Sequence, residues 1–156
     1  ALYEEARAIR TKTVTLQTPD GASLIASLGY ARFELGDPGA ALELFAEARS
    51  IREATGAFRS PDGALLCRNV GVVRSSQGDL AGALEAFGEA TSLLEELCAT
   101  ETPLGACILT SLGIARSAHK EPEAALELLL RARRIREETQ TMDTAYGRQL
   151  EELIAT

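Results

Sequence analysis

Few side chains in this sequence could support acid–base or nucleophilic chemistry. His119 is the only histidine, and the three cysteines, Cys67, Cys98 and Cys107, include no CxxC pair. A nucleophile activated by histidine would depend on His119, which falls in a predicted turn with no supporting group nearby. The glycines form neither of the common phosphate-binding loops, and no cluster of His, Cys or acids has the spacing of a metal site. The sequence therefore predicts no enzyme, no cofactor and no metal.

Composition and charge restrict the kind of partner. The chain is 46% hydrophobic but only 4% aromatic, which favours closely packed helices over sheets. A net charge of -7 argues against nucleic-acid binding, because phosphates must be neutralised by clustered Lys and Arg. No apolar run reaches the roughly 18 residues of a membrane span, so no membrane insertion is expected. The cysteines indicate a reducing compartment, hence a cytoplasmic location. We expect a protein or peptide partner, and the oligomeric state stays open.

The segments that would position a binding site recur every 42 residues. The pairs Leu28-Gly29, Val70-Gly71 and Leu112-Gly113 are separated by this interval. The same interval relates three further sets, which are Pro19, Pro61 and Pro103; Ala41, Ala83 and Ala125; and Phe45, Phe87 and Leu129. Within each unit the apolar residues recur twice at helical spacing. Each unit is therefore expected to form two helices.

The repeat predicts the helices and the units. We predict helices over residues 1–13, 20–35, 38–56, 62–77, 80–98, 104–118, 121–139 and 143–155. We expect one array fragment of a longer protein, with a partial repeat over 1–18, repeats over about 19–60, 61–102 and 103–144, and a partial repeat over 145–156.

The turn inside each unit has recognisable capping residues. Gly36 and Gly78 can adopt the left-handed conformation that ends a helix, and Asp37 and Asp79 can cap the next one. The third unit has Lys120 instead of glycine, so its turn should be strained or differently shaped. Arginines near the end of the last complete unit lie among acids, where solvation and the helix dipole explain them: Arg131, Arg133, Arg134 and Arg136.

The repeated residues resemble the tetratricopeptide pattern, in which a Leu-Gly pair is followed by A-x3-F-x2-A. Small residues let the paired helices approach closely, and Phe45 and Phe87 fill the space beside them; the small residues are Gly29, Gly71, Gly113, Ala41, Ala83 and Ala125. The 42-residue unit, with "IRE" closing the second helix, resembles the kinesin light chain subfamily. The resemblance implies an all-α fold, a right-handed superhelical solenoid of antiparallel helix pairs.

Three arginines occupy the position where the pattern has Tyr: Arg32, Arg74 and Arg116. Each precedes its turn by about as much as a glutamate follows it. We therefore predict three repeated ion pairs across the helical hairpins, Arg32 with Glu43, Arg74 with Glu85 and Arg116 with Glu127.

The resemblance also implies a concave groove lined by the first helix of each unit. The residues facing it would be Ser23, Ala26, Ser27, Tyr30 and Phe33 in the first complete unit, Leu65, Arg68, Asn69, Val72 and Ser75 in the second, and Cys107, Thr110, Ser111, Ile114 and Ser117 in the third. Kinesin light chains hold a peptide backbone with paired asparagines, of which only Asn69 is present. Chaperone-binding relatives hold a terminal carboxylate with several basic residues, and this groove offers Arg68 alone.

We expect the groove to suit the apolar side chains of a short peptide or an amphipathic helix. The alternative is that Tyr30, Phe33 and Ile114 simply pack against the next helix. The sequence thus favours a protein-interaction scaffold. Two other functions stay open: a regulatory or sensory segment of a larger enzyme or transcriptional regulator, and an architectural or self-assembling subunit.

Overall fold

The computed structural model describes residue 5 and residues 16–155, and over 16–155 it contains helices and no strand. The helices are α1 (Pro19–Glu34), α2 (Pro38–Ala54), α3 (Pro61–Ser76), α4 (Leu80–Glu96), α5 (Pro103–Ala118), α6 (Pro122–Glu138) and α7 (Ala145–Ala155). Their bounds agree with the prediction to within about two residues. The predicted helix over 1–13 lies, apart from residue 5, outside the described residues.

The helices form antiparallel pairs that stack in chain order. The close pairs are α1 with α2, α3 with α4 and α5 with α6, and α3 also contacts α1 and α5. Buried side chains form four clusters along the stack rather than one central core. Phe45 and Phe87 are almost completely buried, each beside the Gly of its own unit. The all-α solenoid predicted from the repeat is confirmed.

Each first helix begins with the same cap. The hydroxyl groups of Thr18, Ser60 and Thr102 accept hydrogen bonds of 3.1–3.2 Å from the backbone N–H three residues later. In every case that N–H belongs to a glycine, and a proline occupies the first helical turn. The cap fixes where the first helix of each unit starts and therefore where the groove residues on it lie.

The turns inside the units share one backbone conformation. Gly36, Gly78 and Lys120 have φ values of +82°, +81° and +64°. The N–H of Gly78 donates to Ser75 O at 3.0 Å, and that of Lys120 donates to Ser117 O at the same distance. The third turn therefore has the same backbone shape as the other two. It differs in the steric strain of holding the Lys120 side chain in the left-handed region.

We expect Lys120→Gly to stabilise the protein by about 0.5–1 kcal/mol, because glycine adopts a positive φ without steric cost. Urea unfolding followed by circular dichroism measures the change. Gly78→Lys, the reverse substitution in the preceding unit, should destabilise by a similar amount. Equal unfolding midpoints for Lys120→Gly and the wild type would contradict the expectation.

Candidate functional site

Two cavities lie along the first helices of the units. We call the first, of about 260 Å³, the α1–α3 cavity; its walls are Ser23, Ala26, Ser27, Tyr30, Arg52, Asp62, Leu65, Leu66 and Asn69. The second, of about 230 Å³, is the α5–α7 cavity; its walls are Arg68, Val72, Ser75, Phe87, Cys107, Thr110, Ser111, Ile114, Arg136, Tyr146 and Gln149. All of the predicted groove residues except Phe33 and Ser117 therefore line one cavity or the other.

Apolar side chains are exposed at these cavities. Tyr30, Leu65 and Ile114 are 41%, 40% and 38% exposed. Phe33 instead packs against the buried cluster between α1 and α2, with its ring centroid 6.3 Å from that of Tyr30. The alternative of simple packing thus fits Phe33, whereas Tyr30 and Ile114 keep surface that a ligand could cover.

Hydrogen bonds order the polar side chains between the two cavities. Arg68 Nε donates to Ser111 Oγ at 3.1 Å, and Arg68 Nη1 donates to Asn69 Oδ1 at 3.5 Å. Ser27 and Ser111 each also donate to a backbone carbonyl of their own helix, at 2.9 and 3.0 Å. The cationic group of Arg68 is therefore held between α3 and α5 before any ligand arrives.

The predicted ion-pair column is only partly present. Arg74 Nη1 lies 3.7 Å from Glu85 Oε2, so the pair predicted for the second unit is confirmed. The pair of Arg32 with Glu43 stays a prediction. Arg74 is also close to Asp79 Oδ2, at 4.0 Å, which places it between two carboxylates at the start of α4.

The pair predicted between Arg116 and Glu127 is wrong. Arg116 Nη1 binds Glu121 Oε2 instead, and His119 Nδ1 lies 3.0 Å from the other oxygen of that carboxylate. These contacts, chiefly the hydrogen bond from Arg116, hold the pKa of Glu121 below its usual range. Glu121 is available because, unlike Asp37 and Asp79, it makes no side-chain capping bond.

The two units also differ at one residue beside these arginines. Arg74 lies over Gly82 and donates to its carbonyl oxygen at 3.3 Å. A Cβ at residue 82 would come within 2.9 Å of Arg74 Cδ and Nη1. The equivalent residue of the third unit is Ala124, which carries the Cβ that Gly82 lacks. Arg116 there binds Glu121, the equivalent of Asp79.

A third cavity of about 500 Å³ lies between α2 and α4 and was not predicted. Arg49 donates two hydrogen bonds of 2.7 Å to Glu89 there and stacks over Phe58 at 4.5 Å. The bonds from Arg49 lower the pKa of Glu89, and burial raises the pKa of Cys67 to about 12. Cys67 is therefore a protonated, unreactive thiol at neutral pH. Arg49 recurs at the 42-residue interval as Arg7 and Arg133, and Glu89 recurs as Glu5 and Glu47, so the repeat carries a signal for this contact between neighbouring units that the prediction missed.

The sequence reasoning also misassigned Arg136, which was expected to be a solvated residue near a helix end. It is 2% exposed and lines the α5–α7 cavity. Arg131 does behave as expected, since it is partly exposed and binds Glu101 at 2.9 Å. The difference arises because Arg136 points inwards, towards the first helix of its own unit.

His119 and Cys98 are exposed and line none of the three cavities. Within residues 16–155, no group of three His, Cys, Asp or Glu could hold a metal ion. Over the same residues, no helix combines the length and apolar composition required to cross a bilayer.

Stacked helical pairs with cavities along one series of helices define a helical-repeat protein. Residues 63–138 match the tetratricopeptide repeat family, so this segment of the chain consists of tetratricopeptide repeats. Folds of this family generally mediate protein–protein interaction and are typically non-enzymatic. Comparison with curated proteins finds no match.

Solved structures with the same fold include kinesin light chain-like proteins. A P. anserina protein described as a kinesin light chain with nearly identical TPR-like repeats is 20% identical, with a TM-score of 0.75 over 99% of this chain and 73% of that one. BtubC (BKLC) from P. vanneervenii is also 20% identical, with a TM-score of 0.77 over 97% of this chain and 63% of that one. The N-terminal domain of C. elegans stress-induced protein-1 is 18% identical, with a TM-score of 0.62 over 86% of this chain and 95% of that domain.

Proposed function

We propose that this chain is an interaction module that binds a short peptide or a helix of a partner protein along α1, α3 and α5. The observation that supports this most directly is the pair of cavities on the first helices, with exposed apolar side chains at both. An extended peptide or one face of an amphipathic helix could place apolar side chains against Tyr30, Leu65 and Ile114.

The proposal extends to the organisation of the chain and its setting. Repeats would span 19–60, 61–102 and 103–144, with partial repeats over 1–18 and 145–156. A cytoplasmic location would suit the cysteines, because Cys67, Cys98 and Cys107 are all free thiols.

Selection of random peptides of about 12 residues against the immobilised chain tests the proposal and supplies defined probes. We expect Tyr30→Ala, Asn69→Ala and Ile114→Ala each to weaken the selected peptides by about tenfold, because each removes contact surface from a cavity wall. Isothermal titration calorimetry measures the affinities. Leu126→Ala is the matched control, since Leu126 is 47% exposed on α6 and lines neither cavity.

Two results would contradict the proposed groove. One is that no peptide is selected. The other is that the selected peptides lose affinity for Leu126→Ala but bind the three groove variants like the wild type, which would place the interaction on the second helices instead.

A further inference from the structure

The α1–α3 cavity contains an ion pair whose arginine is buried and whose aspartate is exposed. Arg52 is 3% exposed, and its Nη2 donates to Asp62 Oδ2 at 2.9 Å and to Ser23 Oγ at 2.8 Å. Asp62 comes from the first turn of the next unit. The buried guanidinium is thus paired with a carboxylate of the same chain at the protein surface, which offsets the cost of removing its charge from water.

The equivalent position two units later has the arginine without the acid. Arg136 corresponds to Arg52, but Cys107 replaces the serine and Tyr146 replaces the aspartate. Arg136 Nη2 donates to Cys107 Sγ at 3.1 Å, and its guanidinium carbon lies 5.7 Å from the centroid of the Tyr146 ring. Its Nε is buried without a hydrogen-bond partner, as is that of Arg52. Within the described chain, no carboxylate forms an ion pair with Arg136.

The middle unit shows what this position contains when no charge is present. Its equivalent residues are Leu65, Leu94 and Leu104, all apolar. At this position the first unit therefore has an arginine with an acid, and the second unit has no charged residue. The third unit has an arginine without an acid. A leucine would fill the third position without the desolvation cost of Arg136, and the aromatic ring of Tyr146 offsets only part of that cost.

The space beside Arg136 suits an anionic group. The α5–α7 cavity also contains the guanidinium of Arg68 and the hydroxyl of Thr110, and none of its walls is an aspartate or glutamate. Each of the other two cavities has a carboxylate in its wall, Asp62 in one and Glu85 and Glu89 in the other. Two guanidinium groups without an internal acid form a local positive site in a chain whose net charge is -7.

We propose that the α5–α7 cavity binds a carboxylate of the partner peptide, which takes the place that Asp62 occupies beside Arg52. Arg136 is the buried contact, and Arg68 faces the same carboxylate from α3. This inference rests on the proposed peptide-binding function and adds the chemistry of one ligand group to it. The carboxylate comes from an Asp or Glu side chain or from the peptide C-terminus.

The decisive variant supplies the missing acid from within the chain. Tyr146→Asp recreates the charge arrangement of Arg52 and Asp62, and Tyr146→Asn is a control of similar shape without the charge. We expect Tyr146→Asp to unfold at a higher temperature than Tyr146→Asn and to bind selected peptides at least about tenfold more weakly, because an internal carboxylate competes for Arg136.

The probes are the peptides selected against the intact chain, each resynthesised with its acidic residues changed to the amide and with a free or amidated C-terminus. If the carboxylate belongs to a side chain of the peptide, Glu→Gln or Asp→Asn should reduce the affinity. If it is the C-terminal carboxylate, amidation of the C-terminus should reduce the affinity. Sodium acetate and acetamide provide a peptide-free comparison: acetate alone should shift the Arg136 Nε–H signal in nitrogen–proton NMR spectra, and Tyr146→Asp should abolish the shift.

The outcomes separate this inference from the proposed function. Peptides that bind the groove and tolerate loss of every carboxylate would overturn the carboxylate site and leave the peptide-binding function standing. An acetate shift that Tyr146→Asp abolishes, together with failure to select any peptide, would support the site and contradict peptide binding. Equal unfolding temperatures for Tyr146→Asp and Tyr146→Asn, with no acetate shift in the wild type, would overturn the inference.

Discussion

Replacing Gly105 by Ala is expected to destabilise the protein by about 3 kcal/mol or more, at the upper end of the range for overpacked sites. A Cβ at residue 105 would overlap the carbonyl oxygen of Thr100 in the turn that precedes α5. This neighbour is backbone, so relief requires movement of the helix start and of its Thr102 cap. Thermal unfolding followed by circular dichroism measures the loss.

Gly88→Ala is the matched control for this prediction. Gly88 lies within α4 and has no atom within 4 Å of the position of an added Cβ. Because alanine has the higher helix propensity, Gly88→Ala should stabilise the protein by up to about 1 kcal/mol. Gly105→Ala should lower the free energy of unfolding and Gly88→Ala should raise it. A Gly105→Ala protein as stable as the wild type would show that the turn is not closely packed.

The second large effect is expected at the contact between Gly71 and Phe87. An added Cβ at residue 71 would lie 2.6 Å from Cε1 of the Phe87 ring, which is 2% exposed and cannot move into solvent. Gly71→Ala should therefore destabilise by about 2–3 kcal/mol. In the third unit the corresponding contact, between Gly113 and Leu129 Cδ2, is looser at 3.0 Å.

A double-mutant cycle tests whether this loss comes from the ring itself. Phe87→Leu introduces the side chain used in the third unit and should cost about 1 kcal/mol alone. Combined with Gly71→Ala, the total loss should be smaller than the sum of the two by about 1 kcal/mol, because the shorter side chain leaves room for the methyl group. Additive losses, measured by urea unfolding, would mean that the two residues do not limit each other.

Both effects bear on the proposed function because the units have no separate cores. Each helix pair buries its apolar surface against its neighbours, so a change in one crossing distance also moves the cavity walls on the adjoining first helices. The stability variants should therefore be compared with the groove variants before a loss of peptide binding is assigned to a direct contact.

The sequence was sufficient to predict the helices, their caps and their order of stacking. Each of these depends on contacts that recur at the same interval, such as the hydrogen bond that the N–H of Ala40 donates to Asp37 Oδ1 and its counterpart at Asp79. Because the repeated residues meet the same neighbours in every unit, their types alone indicate what they pack against. The third turn was expected to be strained or differently shaped because Lys120 stands where the other units have glycine, and the structure has the same left-handed backbone in all three turns.

Apart from the predicted pair of Arg74 with Glu85, only the tertiary structure decided which charged groups meet. Arg49 binds Glu89 across adjacent second helices, and Arg116 binds Glu121 of its own turn instead of Glu127. Arg136 looked like a solvated residue because its burial depends on how α6 faces α5 and α7. Long charged side chains can reach several partners, and the angle and distance between helices choose among them. A periodic pattern fixes which helices are neighbours, but the partner of a long charged side chain follows from their geometry.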